Sequence, residues 1–497
     1  MRESDPCRIR DNTPFVMKIS RTLLLLVFLT GFLSAESGAQ EANTLYYMKL
    51  PQANLMNPAS QQYCNFYINL PLAGGASASV MSSSISFSDL VFPGTGEFSD
   101  SLITILHPSY NIDDFLSKLH KKNYIAPTFT ANVLSFGFRA KNLYFHFGVT
   151  ENATLYLGYP RDMMTLLFKG NAAFAGGEAD LSSLAMDATL YGSYSAGVSA
   201  RVTDALSLGV RAKFLSGVAN GSLNNHGTHL SIDGEDYTHT LDADLSVDLS
   251  APVEVVTDSA GNVTDIVLQD DFDKPENVLY YLFHPDNPGF AFDVGARYRF
   301  NERFMVAASV LDLGMIRWRR DVSNLITQGA FVFQGLDASP VFNVYDTTTL
   351  EDVADDLLDS LEAVFRPRVE HTAYSTGLSP KLYAGGTFNL SPSVNLGILS
   401  RSEFRRKNII QSFTFSVNTA VKRWLNFTAS YTYSNHSYNN VGAGLSLRGG
   451  PIQFYIMTDY VLGYLYPDTS HALGGWFGLN LIFGCRERVM DDRPLIR

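Results

Sequence analysis

The chain lacks any apolar run of the ~20 residues that a membrane-spanning helix needs. Cysteine is nearly absent, with only Cys7, Cys64 and Cys485, and the ten histidines are scattered. No His, Cys and carboxylate group therefore stands at metal-ligand spacing; His226 and His229 are close together but read as loop residues. Gly-x-Ser-x-Gly, phosphate-loop and paired-cysteine motifs are missing. The sequence thus offers no catalytic set, no cofactor and no metal site, and an enzyme is not expected. Basic residues are in the minority, 37 Lys and Arg against 49 Asp and Glu, for a net charge of −12. Nucleic acid, which is held by cationic surface, is excluded as an expected partner. Tryptophan is scarce at 3, yet the chain holds 34 phenylalanines and 25 tyrosines.

The one apolar run is Leu23–Leu33, preceded by Lys18 and Arg21 and followed by the small residues around Ala35 and Ala39. This is the pattern of a secretory signal peptide, too short for a membrane anchor. Residues 1–39 are read as leader, with Met17 as the initiator and Gln40 as the first mature residue.

What fills the rest is alternation. Phe290, Phe292, Val294, Ala296, Tyr298 and Phe300 interleave with Ala291, Asp293, Gly295, Arg297 and Arg299. Period two is the period of a β-strand, whose successive side chains face opposite ways. Copies of the pattern recur between turn residues, which is the signature of a transmembrane β-barrel. A mean hydropathy of +0.00 suits such a wall, because outward apolar and inward polar residues cancel.

Short turns at Ala140–Lys141, Thr203–Ala205, Asn301–Arg303, Ser391–Ser393, Lys422–Arg423 and Gly449–Gly450 mark one side of the membrane. An even number of strands must separate consecutive turns. Most intervals hold two, such as Phe304–Leu313 with Lys381–Leu390, or Pro451–Leu462 with Leu473–Phe483. Between 205 and 301 three candidates appear, Leu206–Leu215, His229–Leu249 and Phe290–Phe300. Parity makes the middle one an outer hairpin turning at Asp233-Gly234. Upstream, Thr128–Phe138 pairs with either Asn65–Pro71 or Ala76–Phe87, and Leu143–Thr150 with Met186–Val202. The total is about 14 antiparallel strands over 64–484, an all-β fold. Long insertions near 89–126, 216–288 and 314–379 become outer loops, with helices expected at Asn111–Tyr124 and Glu351–Phe365. Gly176-Gly177 reads as loop, and 485–497 as a C-terminal tail.

Facing follows from the alternation. Leu206, Leu208, Val210, Ala212 and Phe214 point to lipid; so do Leu425, Phe427, Ala429 and Tyr431. Arg201, Arg211, Lys213, Asp293, Arg297 and Arg299 are then lumen residues, which either line a permeation path or pair with one another. Closing a barrel makes its first and last strands neighbours. Cys64 and Cys485 flank those strands, so a disulfide between them is one reading and two free thiols the other.

Further residues carry a resemblance. Asn54-Leu55-Met56-Asn57-Pro58-Ala59 resembles the N-terminal signature of FadL/TodX-type outer-membrane transport barrels. Gly197–Gly217, Asp293–Arg299, Ser309–Trp318 and Gly478–Cys485 resemble an outer-membrane family of Bacteroidota that bears only a domain-of-unknown-function label. The resemblance implies an outer-membrane barrel among lipids, with residues 40–63 as an N-terminal plug or lead-in turning at Asn57, Pro58 and Ala59. It implies passage of hydrophobic or small molecules; a PorV-like surface scaffold that holds protein partners is the alternative. Gly478, Leu481 and Phe483 resemble the terminal signal read by the barrel-assembly machinery.

Overall fold

The computed structural model describes residues 43–70, 74–93, 102–105, 107, 110–257, 263–268, 286–333, 368–405, 409–422, 424–434, 437–467 and 470–485. The leader with Met17 and Gln40, the expected helix Glu351–Phe365 and the tail from 486 onward lie outside them.

A single antiparallel sheet of 14 wall strands closes on itself as a barrel. Strand β1 has two segments, Cys64–Asn69 and Ala76–Ser82. It is followed by β2 (Lys122–Ala140), β3 (Leu143–Pro160), β4 (Ala185–Arg201), β5 (Leu206–Ile232), β6 (Asn287–Arg299) and β7 (Phe304–Trp318). Next come β8 (Lys381–Ser391), β9 (Val394–Phe404), β10 (Ile409–Lys422) and β11 (Leu425–Ser434). The wall ends with β12 (Ser437–Gly449), β13 (Ile452–Thr458) and β14 (Ala472–Cys485). Both segments of β1 pair with β2 on one side and β14 on the other, which closes the ring. Closure is what a bilayer demands, because it leaves no sheet edge with unpaired backbone groups facing lipid.

The short turns fall after β2, β4, β6, β8, β10 and β12, one side throughout. Three features of the outer side differ from the sequence reading. The first is β5, which does not stop at Leu215. It runs unbroken to Ile232, and the hairpin then returns through His239–Ser250, paired residue by residue with β5 and with Val322–Phe333. Continuous hydrogen bonding to these neighbours carries the strand past the membrane, where alternation no longer has lipid to report. The second is Gly177–Asp180, a short strand on the same raised sheet rather than loop. In the third, β13 ends at Thr458, and Val461–Leu465 forms a helical turn instead of extending the strand. The question of Asn65–Pro71 or Ala76–Phe87 resolves as both, since each supplies part of β1. The helix expected in Asn111–Tyr124 is Ile112–Lys118, capped by the Asn111 side chain, which accepts from the Asp113 and Asp114 amides.

The outer surface is the apolar face. Phe290, Phe292 and Phe300 are each more than half exposed, while Ala291 and Asp293 between them are fully buried. Exposure of that size is stable only against lipid tails. Ring pairs Phe138–Phe145, Phe300–Phe304 and Phe66–Phe483 lie beside short turns or the barrel seam, with centroids 5.4, 5.3 and 6.0 Å apart. They form part of an aromatic girdle at the short-turn interface.

At the seam Cys64 faces Cys485 in register, and their sulfurs are bonded. The link closes a loop spanning 421 residues. Replacing both cysteines by serine is expected to lower unfolding stability by about 2–4 kcal/mol, read as a lower urea midpoint in heat-modifiability gels. Maleimide labelling of denatured, leader-free protein should find no free thiol without reductant and two with it. Two free thiols without reductant would contradict the bond.

Candidate functional site: plug, charged arc and apolar cluster

The lumen is filled by the chain's own N-terminal segment. Residues 43–59 fold as two 3-10 turns, Thr44–Tyr47 and Pro51–Leu55, joined by a bend. Pro51 starts the second turn, where its missing N–H costs nothing. Almost every residue of the segment is buried. Short turns with little internal hydrogen bonding leave many backbone groups to be satisfied by the wall.

The wall supplies partners along the whole segment. The Asn43 and Thr44 amides donate to the two carboxylate oxygens of Asp459, at 3.1 and 3.0 Å, and the Thr44 hydroxyl donates to the same carboxylate. Gln52 donates to Asn480 at 2.7 Å and to Asn69 at 3.2 Å. Ser309 donates to the Met56 carbonyl at 2.6 Å. At the turn, Asn57 donates to the carbonyls of Ala296 and Ala308, and its side-chain oxygen accepts from the Ala59 amide at 2.9 Å. Gly209 and Gly295 face each other across β5 and β6 directly beneath this turn. A Cβ on Gly295 would overlap the Asn57 side chain, and one on Gly209 would overlap the Pro58 backbone. Two glycines in register thus let the wall and the plug approach backbone to backbone.

An arc of charge spans β5 to β9. Arg211 and Asp293 are cross-strand neighbours joined by a 2.6 Å ion pair, both essentially without solvent exposure. Lys213 reaches Asp293 at 2.9 Å and Asp312 at 2.5 Å. Asp312 holds Lys381 at 3.2 Å. Lys381 stands opposite Glu403 in the ladder, and Glu403 pairs with Arg401 and, at 2.9 Å, with Arg405. Arg211 also donates to the Asn54 and Leu55 carbonyls, at 3.3 and 3.0 Å, so one guanidinium ties wall to plug. A carboxylate bound by several donors in a dry site is strongly held, because charge-assisted hydrogen bonds gain strength where water is excluded.

Of the six residues predicted for the lumen, the structure brings Arg211, Lys213 and Asp293 into this arc. Arg201, Arg297 and Arg299 occupy inward register positions nearer the short turns, with Arg297 beside Met305. Sequence reading missed Asp312, Lys381, Arg401, Glu403 and Asp459. The reason at Asp312 is a β-bulge. The pairing of β6 with β7 shifts between Phe292 and Val294, and Asp312 takes a left-handed φ of 61°. That conformation is tolerable for Asp and turns it inward out of phase with simple alternation. The available signal was Asp312-Leu313-Gly314, inside the Ser309–Trp318 segment that carries the family resemblance.

Beside the plug lies an apolar cluster made of Leu45, Leu50, Met48 and Met56 from the plug with Tyr383, Leu399, Tyr455 and Met457 from the wall. Tyr455 reaches the join between the two segments of β1, which pair with β14 up to Asn69↔Asn480 and again from Ala76↔Phe477. Its hydroxyl lies 3.5 Å from the Gly74 carbonyl there. On β14, Gly478 faces inward against Tyr455 and Gly75, while Leu481 and Phe483 lie on the outward face. Among the described residues no group of three or more His, Cys, Asp or Glu could hold a metal ion.

Two outcomes follow from this geometry. Asp293→Ala should destabilise the barrel by about 3–5 kcal/mol, since it strands the buried Arg211 charge; a urea midpoint unchanged from wild type would contradict the arc. Gly295→Leu should unseat the plug, raising conductance in planar bilayers well above a wild-type background that is nearly closed.

No curated protein matches the chain. Solved structures to which it is similar include the TodX deltaS2S3 mutant, a monoaromatic hydrocarbon channel, at 8% identity over 87% of this chain and 92% of that one, with a TM-score of 0.38. A Pseudomonas aeruginosa FadL homologue is similar at 10% identity, covering 88% and 95% of the two chains, with a TM-score of 0.36. The Pseudomonas putida toluene transporter TodX is similar at 10% identity, covering 90% and 93%, with a TM-score of 0.34. Its model matching residues 58–459, from Pro58 in the plug to Asp459 beyond β13, the chain belongs to the Family of unknown function (DUF5723).

Proposed function

We propose that this barrel sits in the outer membrane and passes hydrophobic or small molecules across it. One observation carries the reading: an apolar cluster fills the space between plug and wall and extends, through Tyr455, to Gly74 at the join of the two segments of β1. An apolar surface running from the plug to the barrel wall suits a hydrophobic compound that enters from outside and moves on once the plug shifts. The plug is held by hydrogen bonds and apolar packing rather than by a covalent cross-link, so its displacement is an equilibrium that a ligand can bias.

A second reading has its own support. β5 is 27 residues long, roughly 90 Å at about 3.3 Å per residue, against an apolar belt of about 25 Å. Even strongly tilted, it carries the raised sheet with His239–Ser250 and Val322–Phe333 well beyond the membrane. That sheet could serve as a scaffold for surface proteins.

Uptake of a radiolabelled aromatic hydrocarbon by a deletion strain, complemented with wild type or with Leu55→Arg, separates the two. Transport predicts several-fold slower uptake in the deletion strain and in Leu55→Arg, with heat-modifiability of the variant intact. Equal uptake in all three strains would remove the transport reading, and co-purification of a stoichiometric surface protein would then favour the scaffold.

A further inference from the structure

The outward face of the barrel is not uniformly convex. Across β2, β3, β4, β5 and β6 lies an open groove of about 440 Å³, within the ~300–1,000 Å³ range of small-molecule sites. Its floor is Ala196 and Ala212, and its banks are rings: Phe147 on one side, and Tyr194, Phe214 and Phe290 on the other. Phe214 meets Phe290 edge-on at 5.6 Å and Tyr194 at 6.2 Å, which fixes that bank. Small residues between large ones on a lipid-facing wall make a slot the width of a chain, not a flat solvation surface.

One strand step above the groove stands Glu151. It is partnered with Gly192, in the row next to Val149 and Tyr194, so it shares the groove's outward face. It stands eight residues up β3 from Leu143, roughly 20 Å from the short turns for strands rising about 3.3 Å per residue and tilted by about 40°. That height is within the membrane half farther from those turns. Both carboxylate oxygens are buried and have no hydrogen-bond partner among the described residues. The side chain folds into the space that Gly192 leaves open, where its Oε1 would be 2.9 Å from a Cβ. By contrast, the inward-facing Asp293, Asp312 and Glu403 are each paired with a cation. An unpaired acid on the lipid face is costly and marks a site with a missing partner.

We propose that this groove is a binding site for an amine-headed lipid of the leaflet farther from the short turns. Its ammonium pairs with Glu151, swung out from Gly192, and one acyl chain lies along Ala196 and Ala212 toward the short turns. The apolar slot accounts for the chain and the unpaired carboxylate for the sign of the head. The site is independent of the lumen, so it stands whether or not the barrel transports anything.

Native mass spectrometry of the intact, detergent-purified barrel tests it, with dioleoyl phosphatidylethanolamine and dioleoyl phosphatidylglycerol offered at equal concentration. The expected result is at least a several-fold preference of the wild type for the ethanolamine lipid. Glu151→Gln should bring that preference to about one, and Ala212→Phe should reduce retention of both lipids while leaving the preference of what remains. Heat-modifiability confirms that each variant is folded; should Ala212→Phe fail to fold, Ala196→Leu fills the same floor. Equal retention of the two lipids by wild type, or a preference that survives Glu151→Gln, would overturn the proposal.

Discussion

In a bilayer no water is present to satisfy an exposed backbone N–H or C=O, and each unsatisfied group costs several kcal/mol. Everything else in this protein follows from the way the chain meets that constraint with strands. A sheet in lipid must close, and closing it leaves a lumen whose walls carry every second side chain. A lumen this size has to be filled by water, by ligand or by protein. Here it is filled by residues 43–59, and their short 3-10 turns are stable only because the wall pairs with their backbone. Wall and plug are therefore one cooperative unit, with Arg211 shared between the Asp293 carboxylate and two plug carbonyls.

The same constraint explains how much could be read from residues alone. Strands inside the membrane report their facing because lipid enforces it. Leu208 and Val210 are exposed and Arg211 is buried, as alternation requires. Turn parity placed the outer hairpin at Asp233 correctly, and the observed turn runs from Asp233 to Thr238. Outside the membrane the enforcement stops. The extension of β5 to Ile232 and the strand Val322–Phe333 both depend on pairing with His239–Ser250, a choice of partners that no local pattern encodes. Boundaries such as Pro451–Leu462 failed for a related reason, since an apolar residue at the rim can sit on a strand or on a helical turn equally well.

The site was legible in part. Residues that pair straight across strands, such as Arg211 with Asp293, emerge once the inward face is known. Asp312 does not, because a bulge shifts the phase of β7 against β6. Asn57-Pro58-Ala59 pointed to a turn, but nothing in the triplet says that Gly209 and Gly295 lie beneath it. That the close neighbour of those glycines is the N-terminal segment of the same chain, 150 residues or more away along the sequence, is a property of the closed barrel.

The central claim is that the N-terminal segment is an integral filling of the barrel. Hydrogen–deuterium exchange of the purified protein in lipid nanodiscs measures it directly, through the amides of Asn43, Thr44 and Ala59. The account predicts protection comparable to that of β13 and β14, since these amides are buried and bonded to Asp459 and Asn57. Exchange as fast as that of a solvent-exposed outer turn such as Glu235–Asp236 would contradict it.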